Sequence, residues 1–281
     1  MKVLENEQLS RYTTIKIGGT AKKMYIPESE EELIEAAVKV GRQYIIGGGS
    51  NLLIADHEYE SVLNLREFEK KIEHQSEGRY YVGASVRLQN LINTINKDGY
   101  GGMEYLYSVP GLIGGAIVMN AGNGREWNNC ISDYIIRVKV LHGNEIKWID
   151  KADCDFSHRN SIFKNNSEYI VLAAEFDFPK QDLEKSKNMI KERLELCKRL
   201  QDSSKPNFGS TFMIYDKTII RFAKRLQLGN KKGVHFSRKT GNWLVNEGHG
   251  SYRQAIKLIK RIEKIHKLFG KKCDREVIIW D

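Results

Sequence analysis

Cysteine is sparse and unpaired in this chain of 281 residues: Cys130, Cys154, Cys197 and Cys273 lie far apart, and no Cys-x-x-Cys occurs. That pattern argues against a zinc site or a disulfide framework, and reduced thiols are expected. The seven histidines are scattered with no metal-like pair, so no metal is expected. No apolar run approaches the roughly 18 residues of a membrane-spanning helix. The opening Met1–Ser10 lacks the charged-then-apolar order of a secretion signal, so a cytoplasmic protein with no membrane partner is expected.

What the chain has in excess is positive charge. It carries 45 Lys and Arg against 36 Asp and Glu, a formal +9, with basic residues concentrated late, as in "RFAKRL" and "KLIKRIEKIHKLFGKKCDR". Such a surface attracts nucleic acid, membranes or phosphorylated small molecules alike, and the interspersed Glu residues also fit a plain solvated helix face. No nucleic-acid-binding motif or basic-aromatic repeat is present, so an anionic small molecule is the expected partner and nucleic acid is not. The oligomeric state is not readable from the sequence, with a monomer slightly favoured.

Ser29-Glu30-Glu31-Glu32 has the spacing of a capping box, in which the Ser29 hydroxyl and the Glu32 carboxylate satisfy free helix-end amides. Leu33, Ile34, Ala37 and Val38 follow on one helical face, and Gly41 ends the predicted helix. A short strand then runs into a glycine loop, and "VLNL" and "YYVGAS" read as further strands. Ser85 is the candidate cap of a helix with Leu88, Leu91, Ile92 and Ile95 on one side and Gly99 at its end. Ile135–Asp150 reads as a hairpin turning at Gly143-Asn144. After Pro179 comes a charged amphipathic helix with Leu183, Ile190, Leu194 and Cys197 on one side. Ser251–Phe269 is another, with Ala255, Ile259, Ile262, His266 and Phe269 as its apolar side and Gly270 just beyond its end. The order is that of an α+β chain, with a nucleotide-type N-terminal region and a basic C-terminal α/β domain.

Four glycine-rich segments stand out: Ile15–Ala21, Ile45–Leu53, Ser108–Gly124 and Asn207–Phe212. Glycine is costly to order, so each calls for a reason. Glycines let a backbone approach an anion and aim successive N–H groups at it. The loop "IIGGGSNLL" is no P-loop, since no Gly-Lys-Ser/Thr follows, and no G-x-G-x-x-G opening a long helix. Alone it reads as a hinge, a tight turn or an anion cradle. Beside "VPGLIGGA" a diphosphate cofactor becomes the favoured reading. From their own neighbourhoods Arg159, Ser210 and Glu276 read as a loop salt-bridge arginine, a turn serine and a surface charge.

Taken in order, "TTIKIGGTA", "IIGGGSNLLIAD", "MEYLYSVPGLIGGAIVMNAGNG", "HRNSIF", "GSTF", "WLVNEG" and "FGKKCDREV" resemble the UDP-N-acetylenolpyruvoylglucosamine reductase (MurB) family, flavoenzymes of peptidoglycan synthesis. The resemblance runs from Thr13 to Val277 and is to the shorter family type, without an extra tyrosine-bearing loop. It implies an α+β fold: a two-part FAD-binding module of the PCMH, or vanillyl-alcohol-oxidase, type over residues 1–66 and 67–179, and a C-terminal α/β substrate-binding domain over 180–281. It further implies FAD as cofactor, NADPH as reductant, and reduction of UDP-N-acetylglucosamine enolpyruvate to UDP-N-acetylmuramate.

The same resemblance implies a site. Ile46, Gly47, Gly48, Gly49, Ser50, Asn51 and Leu52 would hold the FAD diphosphate, and Ser108, Val109, Pro110, Gly111, Gly114, Gly115 and Gly122 would line the rest of the cofactor. Arg159 would polarise the substrate carboxylate, Ser210 would deliver the proton to carbon, and Glu276 would assist at the enolate or feed the proton relay. Departures from the family pattern cluster in the substrate half. His158 stands before Arg159 where tyrosine is usual, and Met213-Ile214-Tyr215-Asp216 replaces a basic or Asn residue followed by Pro. Thr240 stands where histidine is frequent, Asp202 where proline is, and Ser108 replaces a glycine. An FAD oxidoreductase of this type acting on another sugar nucleotide or a specialised metabolite is therefore the alternative activity. A non-enzymatic phosphate- or nucleic-acid-binding module comes third.

Overall fold

The computed structural model describes residues 1–41, 44–122, 129–164, 166–226, 228–229 and 232–281. Asn123 and Gly124 of the third glycine segment lie outside these. The chain forms two compact units, each assembled from separated pieces. The first comprises Met1–Val3, Tyr25–Gly48 and Val62–Cys197, and the second Leu4–Met24, Gly49–Ser61 and Lys198–Asp281. The chain passes from the first to the second inside the glycine loop, between Gly48 and Gly49.

In the first unit, helix α1 (Glu30–Val40) ends at Gly41, whose φ of +68° is the left-handed cap expected of it. Ser29 Oγ accepts from Glu32 N at 3.3 Å, but the Glu32 carboxylate takes the amide of Glu28, not that of Ser29, so only half of the capping box forms. Its buried side is Leu33, Ala36, Ala37 and Val40, while Val38 is 63% exposed. The stripe starting at Leu33 advances by three and four residues, and Val38 falls off it. Helix α2 (Leu88–Lys97) buries Leu88, Leu91, Ile92 and Ile95 as expected. Ser85 is not its cap: its hydroxyl donates to Leu65 O and accepts from Glu69 N, and Arg87 precedes the helix without a side-chain bond.

These helices, with the short α3 (Ile113–Val118), accompany a five-stranded antiparallel sheet in the order Ile72–Ser76, Arg79–Gly83, Tyr169–Asp177, Ile135–His142, Glu145–Asp150. The expected hairpin is there, registering His142 with Glu145 across Gly143-Asn144. Because side chains alternate between faces, Val138, Val140 and Phe176 join one core with α2 and α3, while Leu141, Ile170 and Leu172 join another with α1. Helix α4 (Leu183–Leu200) keeps part of its expected apolar face, since Ile190 packs against the core and Cys197 is half-buried. Leu183 and Leu194 are exposed, and its one buried residue, Ser186, donates to the buried carboxylate of Glu104 at 3.0 Å. Its anchor is polar, which a hydrophobic period cannot show.

In the second unit, Asn207–Ser210, Trp243–Asn246 and Val234–Phe236 form an antiparallel sheet in that order. Phe212–Ile214 pairs with Asp274–Arg275, and Leu52–Ile54 runs parallel to Ile278–Trp280. Helices α5 (Lys217–Arg225) and α6 (Tyr252–Leu268) complete a core containing Phe208, Phe212, Leu244, Ile259 and Ile262. In α6, Ala255, Ile259, Ile262 and His266 are buried as expected and Gly270 follows with φ +61°. Phe269 is 69% exposed instead, because it has left the helical stripe at the cap. His266 Nε2 accepts from Asp216 N at 2.9 Å while Nδ1 meets Ile262 O at 2.8 Å, so Nδ1 carries the proton. Among the described residues no group of His, Cys, Asp or Glu side chains could hold a metal, and no helix is long and apolar enough to cross a membrane.

Candidate functional site

The glycine loop begins where the short strand Ile45–Ile46 pairs in parallel with Leu63–Asn64. Ile46 is fully buried, and Leu65 N donates to its carbonyl at 2.9 Å. This register carries Arg66 up behind the loop. Arg66 Nε donates to Gly47 O at 2.9 Å and Nη2 to Gly48 O at 3.0 Å. A Cβ on Gly48 would lie 3.4 Å from Leu112 Cγ and 3.6 Å from Gly111 Cα, ordinary contact distances that place the two glycine segments side by side. Gly114 is pressed against Ala84, with 3.0 Å for a Cβ, whereas Gly115 is exposed and opens on space. Val109 O and Tyr107 O both accept from Gln89 Nε2 at 2.8 Å, which pins the segment before exposed Pro110. The Ser108 hydroxyl, foreign to the family pattern, accepts from Arg193 Nε of α4 at 2.9 Å.

Gly122 and Arg159 meet in the same unit. Arg159 Nη2 donates to Gly122 O at 2.9 Å. Arg159 has φ +57°, a left-handed backbone that costs a side-chain-bearing residue on the order of 1–2 kcal/mol. The strain is held by a tight turn in which Ser157 and Asn160 exchange backbone bonds of 3.1 and 3.2 Å. Lys164 Nζ donates to Arg159 O at 3.0 Å and Asn120 Nδ2 to Ser157 O at 2.9 Å. Strain maintained by surrounding bonds is characteristic of functional positions. The neighbouring Cys130 thiol is held above its ordinary range, chiefly by burial and then by Asp133, with Arg159 pulling the other way. It stays protonated at neutral pH and is a poor nucleophile.

The remaining site residues belong to the second unit. Gly49 adopts φ +64°, and Thr14 N donates to its carbonyl at 3.1 Å. Asn51 Nδ2 donates to Glu276 O at 3.0 Å, and Ile278 N returns a bond to Asn51 O at 3.1 Å. Glu276 N in turn donates to Thr211 O at 2.9 Å, next to Ser210. Asn51, Ser210 and Glu276 are thereby brought together, with half-buried Ser50 beside Asn51 and Leu52 buried in the following strand. Asn242 fixes the same segment: its Nδ2 donates to Phe212 O at 2.8 Å and its Oδ1 accepts from Phe212 N at 3.1 Å.

Two departures have structural duties. Asp216 caps α5, accepting from Thr218 N at 2.8 Å and Ile219 N at 3.1 Å, which holds its carboxyl below the ordinary range. Thr240 Oγ1 accepts from Asp202 N and donates to Leu200 O, each at 2.9 Å. Sequence reasoning missed Arg66, Asn242 and Thr14. Arg66 sits one residue past a predicted strand, which was the available hint, but nothing local shows that it reaches Gly47.

The sheets and helices make this an α+β protein with its glycine segments side by side, and residues 21–146 match the FAD binding domain family, which defines the class as flavin-binding. A UDP-N-acetylenolpyruvoylglucosamine reductase from Carboxydothermus hydrogenoformans is 35% identical over 98% of this chain and 93% of its own length. One from Bacillus pumilus is 31% identical over 94% and 88%. The crystal structure of UDP-N-acetylenolpyruvylglucosamine reductase (MurB) from Thermus caldophilus superposes with a TM-score of 0.82 at 25% identity, covering 100% of both chains. The chain belongs to the UDP-N-acetylenolpyruvoylglucosamine reductase family.

Proposed function

We propose that this protein reduces UDP-N-acetylglucosamine enolpyruvate to UDP-N-acetylmuramate, with FAD bound and NADPH as the source of hydride. The observation that carries this reading is the hydrogen-bonded frame in which Asn51 of the glycine loop holds Glu276 O and Glu276 N holds Thr211 O beside Ser210. It ties the cofactor loop to the candidate proton donor. FAD fits the residues present: Gly48 lies in van der Waals contact with Gly111-Leu112, and the carbonyls of Gly47 and Gly48 are turned towards Arg66, which leaves the amides of Gly48 and Gly49 pointing away from it. When bound, FAD would supply the hydride chemistry between nicotinamide and the terminal alkene carbon of the substrate.

The chain's own residues supply the rest. The amides of Gly47–Asn51 hold the diphosphate, and Ile46 and Leu52 anchor that loop in its flanking strands. Ser108, Val109, Pro110, Gly111, Gly114, Gly115 and Gly122 line the cofactor. Arg159 stabilises charge on the substrate carboxylate, and the bond from its Nη2 to Gly122 O holds the guanidinium so that less reorganisation is needed. Ser210 gives a proton to the adjacent carbon, with Glu276 assisting. By segment, 1–66 and 67–179 serve the flavin and 180–281 the sugar nucleotide, whose diphosphate suits the basic C-terminal region. The reading suits a cytoplasmic protein that acts on an anionic small molecule, with no nucleic-acid or membrane partner.

The test is NADPH oxidation by the flavin-loaded protein with the enolpyruvyl substrate; no turnover refutes the reading. Ser210→Ala is expected to leave flavin reduction by NADPH intact and to slow reoxidation by substrate about 100-fold or more. If neither half-reaction changes, Ser210 is not the proton donor.

A further inference from the structure

We propose that Arg66 is a positioning residue that makes the glycine loop selective for a diphosphate-bearing flavin; this rests on the reading of FAD as the cofactor. A trans peptide is planar, so its C=O and N–H point in opposite directions. Arg66 holds the carbonyls of Gly47 and Gly48, at 2.9 and 3.0 Å, on one side of the loop. The N–H groups of those same two peptides, belonging to Gly48 and Gly49, therefore point away from the guanidinium. Among the described residues no protein acceptor takes either of them.

Three consequences follow from chemistry. The clamp fixes the direction of two donors in a glycine stretch that is otherwise expensive to order. A charged donor on each carbonyl polarises the peptide and strengthens the N–H at its other end. Arg66 also places a full positive charge behind the loop, where it favours an anion in front. The planar fork spans two adjacent carbonyls, which a lysine ammonium would meet as a point charge. The backbone that carries the guanidinium is fixed: Arg66 N donates to Asn64 Oδ1 at 3.0 Å, directly after the strand pairing that delivers it.

The experiment titrates apoprotein of wild type, Arg66→Lys and Arg66→Met with FAD, and with riboflavin as a competitor carrying the same ring without phosphates. Arg66→Met is expected to weaken FAD about 10- to 100-fold, the range for losing charged hydrogen bonds, and riboflavin by less than about threefold. Arg66→Lys, which keeps the charge but not the fork, is expected to fall between, and it provides the test if Arg66→Met does not fold. Parallel losses for FAD and riboflavin, or unchanged FAD affinity in both variants, would overturn the proposal. A wild-type protein that binds neither would overturn the flavin reading, and this inference with it.

Discussion

Gly49→Ala and Gly41→Ala form a matched pair that separates backbone strain from steric contact. Gly49 and Gly41 have nearly the same left-handed φ, +64° and +68°. Either substitution therefore costs about 1–2 kcal/mol of conformational strain. Among the described residues nothing lies within 4 Å of a new Cβ on Gly41, so strain is the cost expected there. Around Gly49 the new Cβ lands 1.9 Å from Tyr12 O, 3.0 Å from Tyr12 C and 3.2 Å from Thr13 Cα. These are backbone atoms with no rotamer to escape into, and overpacking of this kind costs about 1–3 kcal/mol. Opening the contact also pulls on the 3.1 Å bond from Thr14 N to Gly49 O, worth about 1 kcal/mol. Gly49→Ala is thus expected to cost about 3–6 kcal/mol in all, against about 1–2 for Gly41→Ala. Urea unfolding of the apoproteins followed by circular dichroism measures both. If Gly49→Ala is no more destabilising than Gly41→Ala, the close approach of the Tyr12-Thr13 backbone to the loop is not what demands a glycine.

Two further outcomes are expected. Asn242→Ala leaves the buried N–H and C=O of Phe212 without their side-chain partners and should cost about 2–4 kcal/mol in urea unfolding, with Asn242→Asp in between; a change under about 0.5 kcal/mol would show that the clamp is dispensable. Glu247 is held below its ordinary 4.5, first by its bond to Lys205 and then by that to His235. Its folded value is the lower one, so the stabilisation is present above about pH 4.5 and disappears as pH falls through the folded value. Glu247→Gln should flatten the acid side of a plot of urea midpoint against pH, and an unaltered slope there would contradict the assignment.

Elements with a strong period were readable from the chain. The side of α2 through Leu88, Leu91, Ile92 and Ile95 is buried, and the hairpin turns at Gly143-Asn144. Gly41 and Gly270 close their helices in left-handed conformations. Helix starts were less readable, because a serine hydroxyl can bond several ways. Ser85 belongs to the Leu65–Glu69 connection, and Glu32 reaches Glu28 instead of Ser29. On α4 the expected apolar side holds at Ile190 but not at Leu183 and Leu194, because the helix is also anchored through Ser186 and Glu104, a polar contact with no period.

Within the site, composition and order of residues were sufficient for the four glycine segments and for the family to which they belong. Those features are local, since a glycine that must adopt φ +64° or pass a neighbouring backbone is marked by its own identity. Convergence is a different matter. Arg66 reaches Gly47 and Gly48 only because two short strands pair in parallel, and Glu276 reaches Thr211 only because the last strands fold back beside Phe212. Asn51 joins Glu276 across 225 residues of chain. Such bonds depend on register between distant segments, which packing of the whole core selects and no local pattern encodes. The tertiary structure alone decided which carbonyls Arg66 holds, and hence which amides of the glycine loop are left facing outward.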